Sequence, residues 1–302
     1  MVVVRMRKLI WSLPVLAACA VAAACGSAKQ TASTPVSAPG SNPCAVKNLT
    51  LLKPGTLTIG TDNPAYSPYF TGGPGHGWTG KYNNDPYTGK GFEDAVAYAV
   101  AKQMGFTNAH VKWQVTHFNQ SYAPGAKPFD FYLAQVSYTK KRAETVDFSS
   151  SYYDVNQAVV ALKSDKYAHA TSIAALHGAK LGTQLGSTSY GFITDVIKPS
   201  AQPGAYHTLN DAINALKAHQ IDAIVIDLPT AFYMTAVQIP DSTIVGQFPA
   251  SSGGGHYGLV LSKGSPLTPC VDTAIAALKA KGTLAQIQTT WLSDKANAPI
   301  LK

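Results

Sequence analysis

The sequence predicts an α/β protein of two lobes, each built on a mainly parallel sheet with helices on its faces. Three observations support this prediction. Strand-like apolar segments alternate with helix-like segments along most of the chain. The chain has 302 residues, which is long enough for two lobes with a core in each. Hydrophobic residues make up 46% of it, which is typical of a globular protein rather than a disordered one.

The segment 1–24 predicts a signal peptide. Basic residues precede an uncharged, mostly apolar segment at 9–24, which is too short to span a membrane. Small residues then surround Cys25 in a pattern that resembles a bacterial lipobox, so Cys25 is predicted to carry the lipid. Cys19 fits the lipobox letters better, but its use would leave the apolar residues 20–24 on the mature protein. A plain secretory signal with incidental cysteines is the alternative.

Residues 25–50 are predicted to form the lipid anchor and a flexible tether, because most of this segment is rich in Ser, Ala, Pro, Thr and Gly. The formal net charge is +8, and part of it belongs to the signal peptide. The remaining Lys and Arg are scattered, and no nucleic-acid-binding motif accompanies them. We therefore expect no nucleic acid among the partners.

The two remaining cysteines, Cys44 and Cys270, predict a disulfide, since thiol pairs outside the cytoplasm tend to be oxidised. This bond would tie the N-terminal arm to the C-terminal part of the chain. Two unpaired thiols are the alternative. Neither these cysteines nor the histidines have the spacing of metal ligands, so no metal and no cofactor are expected.

The first half of the folded region is predicted to hold four strands and one long helix. The helix covers 92–104, with Asp94 near its start and Gly105 as its stop. The segment 71–91 before it holds many Gly, Pro, Asn and Tyr residues, which indicates a long loop. The four predicted strands lie at 57–60, 111–115, 129–136 and 158–162.

The second half continues the alternation. Ser172 is predicted to cap a short helix, and Thr208 a longer one with Asp211 at its third position. Another helix begins at Thr230, and two helices end the chain. The predicted strands lie at 180–183, 221–226 and 256–262.

Polar residues directly after the strands are the candidate ligand groups, because ligands of such sheets bind at the carboxyl ends of strands. Four clusters lie at these places. Together they offer the guanidinium of Arg142, two carboxylates, free helix N-termini and aromatic rings. They occupy 60–69, 135–142, 186–188 and 226–229.

These groups suit a free amino acid, which carries both a carboxylate and an ammonium group. Burying it requires both charges to be met, since each unmatched ion costs roughly several kcal/mol. Arg142 and the turn at 187–188 suit the carboxylate. Asp62 and Asp227 suit the ammonium. The rings predicted to hold the side chain are those of Tyr66 and Phe118.

The order and spacing of these motifs resemble a known family, the polar amino-acid-binding proteins of bacterial ABC importers (extracellular solute-binding family 3). The resemblance covers about 55–293. The residues that carry it are Gly60-Thr61-Asp62 with Tyr66 and Pro68, Gly91-Phe92-Glu93, Thr139-Lys140-Lys141-Arg142 with Val146-Asp147-Phe148-Ser149 and Tyr152-Tyr153, Gly186-Ser187-Thr188, Ile221-Asp222-Ala223 leading to Asp227, Tyr257-Gly258-Leu259, and Gly282-Thr283-Leu284 with Trp291.

The resemblance implies a two-lobed, periplasmic-binding-protein-like fold of type II, crossed by the chain near 153–156 and near 253–257. Lobe 1 would comprise 51–155 and 255–302, and lobe 2 would comprise 156–254. Closure about this hinge would bury the ligand and present a new surface to an ABC permease. We expect a lipid-anchored monomer on the outer face of the cytoplasmic membrane, with no catalytic residue.

The resemblance also implies roles for the site residues. Asp62 and Asp227 would meet the ammonium from opposite lobes, while Arg142 clamps the carboxylate with help from Ser137 and Thr188. The full set of predicted ligand-binding residues is Asp62, Tyr66, Tyr69, Phe118, Gln135, Ser137, Arg142, Gln184, Ser187, Thr188 and Asp227.

Three departures from the family pattern bear on the ligand. Gln135 stands where many members have a small residue, so its amide is expected to reach the ligand or to narrow the pocket. Gln184 and Ile226 are uncharged, which favours a polar neutral ligand first and a basic one second. The loop at 71–88 is longer than usual and is expected to cover the cleft.

Two other functions fit the same residues. A lipoprotein sensor that acts on a membrane receptor would have an identical binding site. A dehydratase of the same fold would keep the arginine but need a placed general acid, for which Asp62 and Asp227 are the candidates. The Ser-x-x-Lys spacing at 137–140 lacks the partner motif of penicillin-interacting enzymes, so Ser137 is not expected to be catalytic.

Overall fold

The computed structural model describes residues 42–249, 255–292 and 298–301. The predicted signal peptide, its two cysteines and most of the tether lie outside the described residues, as does part of the second predicted crossover. No helix within these described ranges is long and apolar enough to cross a membrane.

The described chain alternates strands and α-helices. The strands are β1 (Leu57–Thr61), β2 (Val111–Val115), β3 (Phe131–Tyr132), β4 (Val146–Phe148), β5 (Tyr153–Val155), β6 (Gln157–Leu162), β7 (Leu181–Gln184), β8 (Gly204–Tyr206), β9 (Ala223–Asp227), β10 (Ser242–Gln247), β11 (Gly255–Tyr257) and β12 (Val260–Ser262). The helices are α1 (Phe92–Gln103), α2 (Phe118–Ser121), α3 (Lys140–Ala143), α4 (Thr188–Gly191), α5 (Leu209–Lys217), α6 (Leu228–Tyr233), α7 (Thr268–Ala280) and α8 (Thr283–Trp291).

Two five-stranded sheets organise the fold, one in the order β2-β1-β3-β12-β4 and the other in the order β10-β6-β9-β7-β8. Within the described residues, four of the five strands of each sheet run in the same direction, as predicted for mainly parallel sheets, and one strand of each runs against them. In the first sheet β12 runs antiparallel to β3 and β4. In the second sheet β6 runs antiparallel to β9 and β10. The antiparallel strand of each sheet is the one that follows a crossover, and strand-helix alternation cannot reveal its direction.

A short antiparallel ladder between β5 and β11 joins the two sheets, with Tyr153 opposite Tyr257 and Val155 opposite Gly255. The chain leaves the first sheet through β5 and returns to it through β11. This connectivity gives the two crossovers of a two-lobed type II fold, as the resemblance implies.

The central strands of the second sheet are strongly apolar because both faces of the sheet are covered. All residues of β6 are buried. Val160 packs in the cluster on one face of the sheet, and its neighbour Val159 packs in the cluster on the other face. Since successive side chains point to opposite faces, the middle residues of a strand covered on both sides must be apolar.

Local signals place several elements as predicted. The Thr208 side chain accepts a bond from the backbone N–H of Asp211, whose carboxylate accepts one in return, so α5 begins with a capping box. The predicted disulfide between Cys44 and Cys270 is present and fastens the segment before β1 to α7.

Two strand predictions differ from the structure. The predicted strand at 129–136 is reduced to the two residues of β3, and Gln135 has a positive φ of 53° that no strand accommodates. The predicted strand at 256–262 is split into β11 and β12, which belong to the hinge and to the first sheet respectively. Apolar composition alone does not reveal such an interruption.

Candidate functional site

A cleft lies between the two sheets, and its walls come from segments that follow β1, β2 and β3 on one side and β7 and β9 on the other. Nine of the predicted ligand-binding residues line it: Asp62, Tyr66, Phe118, Gln135, Arg142, Gln184, Ser187, Thr188 and Asp227. Tyr69 and Ser137 lie behind this wall. Tyr69 is fully buried and its hydroxyl accepts a bond from Thr230 across the cleft at 3.2 Å.

Arg142 is the one predicted cation of the site, and it is 93% buried at the start of α3. Its two terminal nitrogens donate to backbone carbonyls, to Ser137 at 2.6 Å and to Gly186 of the opposite lobe at 2.8 Å. Its guanidinium lies 4.3 Å from the ring centre of Tyr122 and 5.4 Å from that of Phe118. Among the described residues, no carboxylate forms an ion pair with it.

Burial lowers the pKa of Arg142, and the nearby Tyr122 and Asp227 oppose that effect. A guanidinium remains charged even so. A desolvated cation whose bonds go only to neutral carbonyls is poorly compensated, so an added carboxylate would be strongly attracted to it.

Asp227 ends β9 at the floor of the cleft and is 9% exposed. Its carboxylate accepts a bond from the Tyr257 hydroxyl of β11 at 2.5 Å and another from the side-chain amide of Gln157. Burial raises the pKa of Asp227 to about 6, although these two bonds and the charge of Arg142 lower it. An ammonium beside Asp227 would favour its ionised form.

Asp62 follows β1 on the opposite side of the cleft. Its carboxylate accepts a bond from the backbone N–H of Asn63 at 2.8 Å, and the imidazole Nδ1 of His117 lies 3.5 Å from its Oδ1. Burial raises the pKa of Asp62, while the Asn63 and His117 contacts lower it. The cleft therefore has one acid from each lobe: Asp227 is buried, and the side chain of Asp62 is 16% exposed.

Gln135 does not present its amide freely to the cleft. Its backbone N–H donates to Glu93 at 2.7 Å, and its side-chain amide also donates to the Glu93 carboxylate. The expectation that this amide reaches the ligand is therefore corrected, because Glu93 holds it. Gln135 still lines the cleft and narrows it.

Ser187 and Thr188 begin α4, and the Ser187 side chain accepts a bond from the backbone N–H of Tyr190. The Thr188 hydroxyl lies 3.4 Å from that of Ser137, which joins the two lobes. Ser137, Thr188 and Arg142 thus lie together.

The long loop at 71–88 does not cover the cleft, which corrects that expectation. None of its described residues lines the cleft. It packs instead behind the segment after β1: Trp78 donates to the Asp62 carbonyl at 2.9 Å, and Asn83 accepts from the Ala65 N–H at 2.8 Å. The loop thereby supports the backbone that carries Asp62 and Tyr66.

Sequence reasoning missed the buried partners of the site. Glu93, Tyr152, Gln157 and Tyr257 each bond to a cleft residue or to its neighbour. A usable signal exists only for Glu93: it lies in the first turn of α1 next to an apolar residue, on a face that must be buried. The other three lie in or next to strands and look like ordinary residues there, and their partners are far away in sequence.

Two mixed sheets, a two-strand hinge and a polar cleft between them define a two-lobed solute-binding protein. The family model of bacterial extracellular solute-binding proteins, family 3, matches residues 79–294. The chain therefore belongs to this family. The matched stretch begins inside the long loop, which separates it from the Gly60-Thr61-Asp62 motif.

Individual relatives agree with this assignment. The chain is 29% identical to the ABC transporter arginine-binding protein 1 of Escherichia coli over 67% of this chain and 81% of that protein. An ancestral arginine-binding protein bound to arginine superposes with a TM-score of 0.63 at 28% identity, over 78% of this chain and 98% of that one. An ancestral amino acid-binding protein, described as a precursor of cyclohexadienyl dehydratase, gives 0.63 at 25% identity, over 79% and 95%.

Proposed function

We propose that this protein captures a free amino acid outside the cytoplasm, with preference for a basic side chain, and delivers it to the permease of an ABC importer. Family membership supports the transport role. Closure of the two lobes around the ligand would give the permease a surface that differs from that of the open protein.

The observation that carries the proposal is the state of Arg142. Its guanidinium is buried, faces the cleft and bonds to carbonyls of both lobes. A ligand carboxylate placed there would receive a charge-assisted bond and would complete the contact between the lobes. The N–H groups at the start of α4 lie beside it and suit the same charge.

The two acids of the cleft, Asp227 and Asp62, are assigned to different cationic groups of the ligand. Asp227 lies near enough to Arg142 for their charges to interact, so we assign the ligand α-ammonium to Asp227. Asp62 lies on the other lobe, in a side recess of the cleft that Gln184 and Thr208 also line. We assign a cationic end of the ligand side chain to Asp62, in place of the α-ammonium role that the resemblance implies. This assignment places basic amino acids ahead of the neutral ones that the sequence favours.

The experiment is calorimetric titration of the mature protein with L-arginine and L-glutamine. We expect Arg142→Ala to weaken binding of both by at least about 30-fold, since losing one partner of a buried charge pair costs about 2–5 kcal/mol. The matched control is Lys141→Ala, which removes an exposed cation one residue away. Unchanged affinity in Arg142→Ala, or equal losses in both variants, would refute the site.

We also infer that the mature protein is a monomer anchored through Cys25 to the outer face of the cytoplasmic membrane. The lipobox-like sequence and the Ser- and Pro-rich tether support this, because a tethered binding protein stays near its permease. A sensor that acts on a membrane receptor is the alternative, and neighbouring genes for a permease and an ATPase would favour transport.

A dehydratase activity is the second candidate, because the chain is similar to the ancestral precursor described above. We propose binding without turnover. Asp227 and Asp62, the acids that line the cleft among the described residues, are both assigned to cationic groups of the ligand, so neither is placed as the general acid for elimination of water. Incubation with arogenate and prephenate should leave both unchanged, and measurable product formation would reverse this conclusion.

A further inference from the structure

One imidazole stands directly beside the cleft acid Asp62. Nδ1 of His117 lies 3.5 Å from its Oδ1. The backbone fixes this position: the Thr116 N–H donates to the Thr61 carbonyl at 2.9 Å, which continues the pairing of β1 with β2 by one residue. The His117 carbonyl then accepts from the Gln120 N–H at 2.8 Å as α2 begins.

Apart from His117, no described side chain forms an ion pair with Asp62. Its side chain is 16% exposed, and within the described ranges no lysine or arginine forms an ion pair with it. A carboxylate in this setting is stabilised by an ion pair with whatever cation is nearest.

The other titratable groups around this recess do not supply a permanent positive charge. Tyr66 lies on the same lobe, and its electrostatic neighbours are Asp62 and Asp211 of α5. His207, just before α5, lines the recess from the second lobe. The remaining lining residues are uncharged: Asn63, Pro64, Phe118, Asn119, Gln184 and Thr208.

We propose that His117 sets the selectivity between basic and neutral amino acids, because its protonated ring supplies Asp62 with the cation that a basic ligand would otherwise bring. This inference rests on the proposed function. His117 is 68% exposed as a side chain, so it exchanges protons with solvent and can swing away when a ligand cation takes its place.

The consequence is a selectivity that changes with pH. When the imidazole is neutral, Asp62 has no cation of its own and a basic side chain is favoured. When it is protonated, a basic side chain must displace it or bind beside a like charge, while a neutral side chain finds Asp62 already paired. Lowering the pH therefore weakens basic ligands relative to neutral ones.

The test uses L-arginine and L-citrulline, which have nearly the same shape but differ in the charge of the side chain. Affinities are measured by calorimetry at about pH 8 and about pH 6, on either side of the ordinary histidine range. Because a protonated His117 competes with a cationic side chain for Asp62 and a neutral His117 does not, the arginine-to-citrulline affinity ratio should fall by about fourfold or more at the lower pH.

Taking the ratio removes contributions that both ligands share. Protonation of Asp227, whose pKa burial raises to about 6, weakens the grip on the α-ammonium of both ligands alike. The variant is His117→Gln, which cannot become charged. Its ratio should stay the same between the two pH values. The control is His169→Gln, which changes an exposed histidine outside the cleft and should behave as the wild type.

Three results would overturn the inference. A wild-type ratio that does not change with pH removes its basis. A change that persists in His117→Gln places the titrating group elsewhere, at Asp62 or His207. Failure of the wild type to bind either ligand at any pH overturns the proposed function together with the inference, whereas the first two results leave the proposed function intact.

Discussion

Replacing Glu93 by glutamine tests how a buried carboxylate that bonds to the cleft residue Gln135 affects the stability of the fold. Glu93 is fully buried in the first turn of α1. Its carboxylate accepts bonds from the backbone and side chain of Gln135 and from the Tyr152 hydroxyl. Burial raises its pKa from 4.5 to about 7, against the lowering effect of these bonds. Glutamine keeps the shape and an acceptor oxygen but carries no charge.

The sign of the effect follows from proton binding. Because the pKa is higher in the folded state, the folded protein holds more protons than the unfolded chain between about pH 4.5 and 7. Glu93 therefore destabilises the fold increasingly as the pH rises through this window, and the cost is complete above it. A rise in pKa from 4.5 to about 7 corresponds to about 3 kcal/mol.

The assay is urea unfolding of wild type and Glu93→Gln at about pH 5 and about pH 8. We expect the variant to gain about 2–3 kcal/mol relative to the wild type between these two pH values. Glu144→Gln is the matched control, because Glu144 is the other glutamate of the chain and is exposed. A free-energy difference that stays the same at both pH values would refute the raised pKa of the buried Glu93.

Two further predictions concern ligand binding and the membrane anchor. Asp227→Asn should weaken amino acid binding by about 100-fold or more in calorimetry with circular dichroism unchanged, and wild-type binding should weaken below about pH 6, since Asp227 must be ionised to pair with an ammonium. Wild-type affinity in the Asn variant would contradict its role. Cys25→Ser should move the protein from the membrane fraction to the soluble fraction while Cys19→Ser should not, and the reverse pattern would assign the lipid to Cys19.

The elements that the sequence predicts well depend on short-range signals. The predicted strand at 111–115 has the same bounds as β2, because an apolar residue lies at each end of it, next to residues that favour turns. The helix α5 follows from Thr208 and Asp211, whose side chains bond within one turn. The disulfide between Cys44 and Cys270 can be predicted without a structure, because few cysteines remain after the signal peptide.

The features that escape sequence analysis depend on contacts between distant parts of the chain. The direction of β12 is set by its return from the hinge, which leaves no trace in its composition. The bond from Tyr257 to Asp227 joins the hinge to the second lobe, and the bond from Gln135 to Glu93 joins two segments of the first. The sequence identifies Gln135 as unusual, but it does not identify Glu93 as its hydrogen-bond partner.

The charges of the cleft explain why a zwitterion suits it better than a simple ion. Arg142 and Asp227 are both desolvated. Burial lowers the pKa of Arg142 and raises that of Asp227, which disfavours the charged form of each. Their charges interact, yet they form no ion pair, and each is held by neutral partners instead. A simple anion would relieve Arg142 and leave Asp227 uncompensated, and a simple cation would do the reverse. A molecule that carries both charges a few bonds apart compensates both groups at once, so each charge raises the benefit of the other.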